Sequence, residues 1–471
     1  MAREYLSNVD STMLHLEEPA NRMVMTAVMV FEAPIDFERL KATIETRLLS
    51  MRRFRQRLVW SRLGVGKPYW EDDPEFDINY HLQRAILPPP GDQAALQDVV
   101  SLLASTPLDH ARPLWQCHLI ENYDQCCAFV IRVHHCIGDG MAMLNVIFTL
   151  TDSDRDAPWP TVQPESLGGR RESRGVILRP SRSRRRARRQ AAQKMFQEGF
   201  DMLAEPSHFR ELGTKGRDAA ADLARFLLLP PDPETVMRGE LGKTKRAAWS
   251  MGVPLEEVKV IRHILGGTLN DVLLAVITGA LRRYLESHGE PVDALTMRAV
   301  IPVNVRPADK AAELSNYVGA VFLSLPVAIS DPLCRLNELK RRMNLRKDSY
   351  EAPVFGFLLG VLGPTPAKVA NTLVNVYSTR ATAVMTNVKG PQEQLYLAGA
   401  PLAALLPWAP PTGRIGVAVS ILSYAGHVQV GVLTDEGLVP DPETIVAAFH
   451  DEYEELVAHA HAARARASKD P

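Results

Sequence analysis

Cys126-Cys127-Ala128-Phe129-Val130-Ile131-Arg132-Val133-His134-His135-Cys136-Ile137-Gly138-Asp139-Gly140 decides how this chain is read. An apolar, β-branched run leads into two histidines and a glycine-flanked aspartate. Met141-Ala142-Met143-Leu144-Asn145-Val146-Ile147-Phe148 then continues with helical character. Strand, turn, helix is the local plan, and it predicts an α/β (α+β) domain. On a strand successive side chains point to opposite faces. His135 therefore shares a face with Val133 and Ile131, and His134 shares the other with Arg132. One histidine is expected to face a cavity and the other the packing behind it. Gly138 and Gly140 allow a tight turn or a close backbone approach. Asp139 is placed to fix the turn, either by pairing with an arginine or by accepting backbone N–H bonds.

A lone, oriented imidazole suits one kind of chemistry. An alcohol holds its proton tightly, and a neutral histidine with a pKa near 6.5 can remove it as a new C–O bond forms. No serine nucleophile is then needed. A metal reading of His-His plus Asp is weakened by the alternating faces, and no further ligand cluster completes a set. Read alone, the string leaves a catalytic and a structural histidine pair equally open.

Working outward, Met23–Pro34 reads as a buried strand and 35–51 as an amphipathic helix. Trp115–Tyr123 reads as the strand beside Cys126–His135. From about 153 the chain becomes Pro/Gly/Ser-rich, and ten arginines follow between Arg170 and Arg189 against one Glu172. Helical patterns return over 191–228. The later chain alternates helices (256–264 and 269–289) with strands punctuated by Gly and Pro, and closes on a helix over 441–460. The expected division is 1–155, a basic connector over 156–230, and 231–471.

The formal net charge of −1 gives no reason to expect nucleic-acid binding. Five cysteines at 117, 126, 127, 136 and 334 fit neither a zinc module nor a disulfide framework, so a reducing compartment is expected. The N-terminus lacks an apolar signal-peptide core. The longest apolar runs fall short of the roughly 18 residues that span a bilayer. The expectation is a cytoplasmic protein without a transmembrane helix. The arginine run is either a solvated linker or a site for anionic lipid headgroups.

His134-His135-Cys136-Ile137-Gly138-Asp139-Gly140 matches the HHxxxDG signature of coenzyme-A-dependent acyltransferases. Further blocks narrow the likeness: Leu6-Ser7-Asn8-Val9-Asp10, Pro107-Leu108-Asp109, Arg112-Pro113-Leu114-Trp115, Asn270-Asp271-Val272, Asn304-Val305-Arg306, Asn316-Tyr317-Val318-Gly319 and Thr386-Asn387-Val388. With these in order over nearly the whole chain, the sequence resembles the bacterial wax ester synthase/diacylglycerol acyltransferase family. Lys389 departs from it, since a proline is expected before Gly390-Pro391.

The resemblance implies two chloramphenicol-acetyltransferase-like domains with the active site in a channel between them. It implies acyl-CoA as substrate, a hydroxyl lipid as acceptor, and no separate cofactor or metal; with lipid substrates, the Arg170–Arg189 run becomes a candidate peripheral contact with a membrane or lipid-droplet surface, and coenzyme A phosphates another candidate partner for it. His135 is then the expected base, with His134, Asp139 and Gly140 as motif support. Asn270 and Asp271, at a helix start, are candidates for oxyanion or active-site support, against a simple helix-cap role for Asn270. Two other readings stand beside this one: a condensation-type acyltransferase using a carrier-bound donor, and a non-catalytic lipid-surface protein of the same fold.

Overall fold

Every residue of strand Val24–Phe31 is buried, which is why it reads as a continuous apolar run with no alternation. It sits inside a six-stranded sheet and is covered on both faces. The order is Tyr396–Leu397, Ala400–Trp408, Val24–Phe31, Cys126–His134, Trp115–Tyr123, Leu82–Ile86. All neighbours run antiparallel except Leu82–Ile86, which lies parallel to Trp115–Tyr123. A second sheet has seven strands. Six follow the order Val318–Leu325, Met297–Asn304, Ala383–Lys389, Val417–Tyr424, His427–Asp435, Lys245–Trp249, and Val253–Pro254 also pairs with His427–Asp435. The fold is mixed α/β. The computed structural model describes residues 4–60, 67–160, 229–250, 252–307, 313–345, 351–363, 365 and 367–467. The arginine run and the helical patterns expected over 191–228 lie outside the described residues.

Three large packed cores follow from the faces of these sheets, beside a small fourth cluster of Phe322, Ala381, Val384 and Ile415. Residues Cys127, Phe129, Ile131 and Val133 face one way, onto a core with helices Asn8–His15 and Gly140–Leu150. Their neighbours Ala128 and Val130 face the other way. There they meet Leu96 and Val100 of helix Gln93–Ser105 and Ala247, Trp249, Ala418 and Leu433 of the second sheet. This middle core joins the two halves. The far core buries helix Leu269–Ser287 against the second sheet and helix Pro442–Ala467. Among the described residues no single helix is long and apolar enough to cross a membrane.

Two elements depart from the sequence expectations. Strand Ala400–Trp408 belongs by position to the second half, yet it pairs with Val24–Phe31 of the first sheet. Its prolines hid it, because proline is rare inside sheets. Pro407 lies opposite Ala27, and on its other side the short strand Tyr396–Leu397 has already ended. Among the described residues no strand is paired with Pro407 on that side. The second departure concerns Lys389. It ends strand Ala383–Lys389 in register with Ser423, so it extends pairing and does not alter a turn.

Candidate active site

The site begins where two strands part. Met297–Asn304 runs parallel to Ala383–Lys389 but pairs with it only at Ala299↔Ala383 and Val300↔Val384. Beyond Val300 comes Pro302, which has no N–H to give. A cavity of about 450 Å³ opens there, walled by Pro302, Val303 and Asn304 on one strand and Thr386 to Lys389 on the other. Ile131, Val133 and His135 of the first half form the facing wall, with Leu144 and Ile147 of helix Gly140–Leu150. A second cavity of about 300 Å³ lies on the other side of His135. Met13, Phe322, Leu359, Val374 and Ile415 line it, and it is apolar almost throughout. His135, Pro302, Val318 and Ala409 line both cavities.

His135 is held by its backbone. Its N–H donates to the Met23 carbonyl at 2.8 Å, and its carbonyl accepts from Asn316 Nδ2 at 2.7 Å. Asn316 Nδ2 also donates to buried Asp10 at 2.8 Å, which links the first helix to the turn. The ring is half-buried in the cavity wall. Its Nδ1 is buried without a hydrogen-bond partner among the described residues, which leaves Nε2 as the nitrogen for a ligand. Burial lowers the His135 pKa from its ordinary 6.5, against the opposing pull of its backbone contact and of Asp139. A neutral imidazole is therefore the resting form near pH 7.

His134 faces the other way, as the alternation requires. It is fully buried and lines neither cavity. Its Nδ1 accepts the Cys136 N–H at 3.1 Å, which folds the turn back on the strand end.

Asp139 does both things that the sequence suggested. Its Oδ1 caps helix Gly140–Leu150 by accepting the Ala142 N–H at 2.9 Å. Its Oδ2 accepts from Arg306 at 2.6 Å and from the Tyr317 N–H at 2.8 Å. Asp139 and Arg306 side chains are each 5% exposed, so this ion pair locks the motif of the first half onto the second in a dry contact. The partner arginine thus belongs to the Asn304-Val305-Arg306 block. The two glycines differ. A Cβ on Gly138 would press on Ala142 at 3.1 Å and on Met143 at 3.2 Å, so it serves close approach. A Cβ on Gly140 would meet nothing within 4 Å. Gly140 keeps space open on the cavity wall and is not required by the turn.

Asn270 and Asp271 sit apart from the cavities. Thr268, not Asn270, caps helix Leu269–Ser287, and Asp271 completes a capping box by accepting the Thr268 N–H at 2.8 Å. Asn270 reaches the site through Asn387, whose Nδ2 donates to Asn270 Oδ1 at 2.8 Å. Asn387 lines the larger cavity and was not singled out from the sequence as a site residue. Its signal was the Thr386-Asn387-Val388 block. Trp115 lies in the core, with Nε1 donating to the Phe54 carbonyl at 2.8 Å and its ring stacked on His81.

The sequence profile of the wax ester synthase/diacylglycerol acyltransferase catalytic domain matches residues 6–273, and that of the family's C-terminal domain matches 314–457. The chain belongs to this family. It is an acyltransferase. A putative diacylglycerol O-acyltransferase of Mycobacterium tuberculosis is 28% identical over 475 residues, spanning 97% of this chain and 90% of the relative. A probable diacylglycerol O-acyltransferase of the same species is 27% identical over 467 residues, with 96% of each covered. The wax ester synthase/diacylglycerol acyltransferase from Marinobacter aquaeolei superposes with a TM-score of 0.69 at 22% identity, covering 97% of this chain and all of that one. The first condensation domain of the calcium-dependent antibiotic synthetase superposes at 0.59 with 15% identity, covering 98% of this chain and 95% of that one. These structural likenesses establish the fold.

Proposed function

We propose that this acyltransferase moves a long-chain acyl group from acyl-CoA to the hydroxyl of a diacylglycerol or long-chain alcohol, with His135 as general base and no acyl-enzyme. The observation that carries the reading is the position of His135 between two cavities. A bimolecular transfer needs its two substrates to meet at one proton acceptor, and this imidazole borders both spaces.

In the reaction, His135 Nε2 takes the hydroxyl proton as the oxygen attacks the thioester carbonyl. The C–O bond forms, and the tetrahedral adduct collapses with cleavage of the C–S bond. The proton then passes from Nε2 to the departing thiolate. General-base help of this kind is worth about 10²–10⁴ in rate. The apolar cavity suits a hydrocarbon chain, since each buried CH₂ contributes about 0.8 kcal/mol. The larger cavity carries the polar side chains Asn304, Asn387 and Lys389, which suits the reacting ester region and a polar substrate end. Asn387 is our candidate donor to the developing oxyanion, with Asn270 holding its amide.

The test is thiol release from palmitoyl-CoA with hexadecanol, with dioleoylglycerol, and with neither, beside the His135→Ala variant. Acceptor-dependent release is expected, falling about 10²–10⁴-fold in the variant. Unaltered ester formation in His135→Ala would falsify the base assignment. Release only from a carrier-bound thioester would replace the donor.

A further inference from the structure

Glu17 takes no part in the chemistry described so far. It follows helix Asn8–His15, and its side chain is 13% exposed. One carboxylate oxygen, Oε2, lies 2.7 Å from His110 Nε2 and 3.4 Å from His134 Nε2. The two imidazoles pack edge to face at 6.0 Å. His134 Nε2 makes no hydrogen bond among the described residues, so the Glu17 carboxylate is the charged group that faces it. On the far side of the same ring, Nδ1 accepts the Cys136 N–H.

These contacts constrain the ring. A nitrogen that accepts a backbone N–H carries no proton. A neutral imidazole with a bare Nδ1 has its proton on Nε2. The Glu17 carboxylate lies 3.4 Å from Nε2, and its negative charge favours the proton there. A flipped tautomer or an imidazolium would set Nδ1–H against Cys136 N–H, two donors in one contact. His135 lies between the two residues joined by that contact.

We infer that Glu17 is a positioning residue for catalysis: it holds His134 in the Nε2–H tautomer and, through the Cys136 N–H, keeps the turn that presents His135 in place. His110 completes the device from the more exposed side. Burial alone would raise the Glu17 pKa, but its contacts with the two histidines bring it down. The same carboxylate raises that of His110, against burial, with Asp109 adding to it. Glu17 thus stays charged throughout the working pH range. The other titratable groups that bear on His134 and the turn are His135 and Cys136, the latter with Asp10 and Arg53 near it. Among the described residues no three His, Cys, Asp or Glu side chains are placed to hold a metal ion, so this cluster is read as a tautomer clamp.

The inference rests on His135 as the base, and the experiment separates the two. Long-range ¹H–¹⁵N spectra of ¹⁵N-histidine-labelled protein report the tautomer of His134, identified by the signal lost in His134→Asn. In the unmutated chain a single Nε2–H tautomer is expected. A Nδ1–H or doubly protonated ring would overturn the proposal, whatever His135 does. In kinetics, Glu17→Leu should lower kcat about 10–100-fold, as loss of an orienting partner commonly does, with KM for palmitoyl-CoA within about twofold. Glu17→Gln keeps an oxygen beside Nε2–H but loses the charge, and should recover part of the rate. Equal losses in the two variants, or an unchanged kcat in Glu17→Leu, would sink it. If Glu17→Leu does not fold, the spectrum of the unmutated chain and the kinetics of Glu17→Gln still decide.

Discussion

The two cavities that meet at His135 differ in how they are made. The larger one exists because two parallel strands stop pairing after Val300 and Val384, and both halves of the chain wall it. Polar side chains reach it from those strands. The smaller one is roofed by helices Glu351–Leu362 and Ala367–Ser378 and is lined by aliphatic and aromatic groups. The difference teaches that one imidazole can border two unlike spaces. Asn304, Asn387 and Lys389 are among the residues on one side, and aliphatic and aromatic residues line the other.

The lock between the halves is the place to break this arrangement most strongly. Asp139→Ala leaves Arg306 without the carboxylate it meets in a dry contact and uncaps helix Gly140–Leu150. Loss of one member of a buried pair commonly costs about 3–5 kcal/mol. Urea unfolding should show a loss of that size, and a change below about 1 kcal/mol would mean that the lock is not needed to keep the larger cavity's walls together.

Filling the apolar side sharpens the comparison. Ala320 is 2% exposed and lines only the smaller cavity. Ala320→Trp should shorten the space for a chain. Excluding four methylenes costs about 3 kcal/mol, on the order of 10² in kcat/KM. Long donors or acceptors should suffer that loss while short ones keep their rate. A uniform loss across chain lengths would remove this cavity from the chain-binding role.

The smallest effect is in the pH profile. The His135 pKa is lowered by burial, so its basic form persists to lower pH than that of a free imidazole. kcat/KM should stay flat from pH 8 to 7 and fall only below about 6.5. An acid limb centred above 7 would contradict a buried neutral base. Stability has its own sign. His81 and His118 are pushed down to about 4 by burial. The unfolded chain takes up those protons near 6.5 while the folded one resists, so thermal stability should drop as pH falls from 6.5 toward 4. His110, raised by Glu17, works the other way and in another window: its contribution is lost as pH rises above 6.5 through its raised pKa.

Much of this was legible in the chain. The strand–turn–helix around His135, the opposite faces of His134 and His135, and the order of the family blocks are local facts. They follow from a period of two, a period of 3.6, and glycine and aspartate placed at a turn. The family resemblance in those blocks is what the matching profiles bear out. Other features had no local signal. Ala400–Trp408 carries prolines that argue against a strand, and only its neighbours in the sheet make them harmless. Asn270 looked like a helix cap or an active-site group, and it is a prop for Asn387, 117 residues away.

The sequence by itself determined the motif and the opposite faces of its two histidines, because each depends on residues within a turn or two of one another. The tertiary structure alone decided that Arg306 closes on Asp139, that Glu17 faces His134, and that two strands part to open the larger cavity beside His135. Those contacts join residues from about 85 to 170 positions apart, and a buried charge pair or a cavity exists only once distant segments have excluded water together.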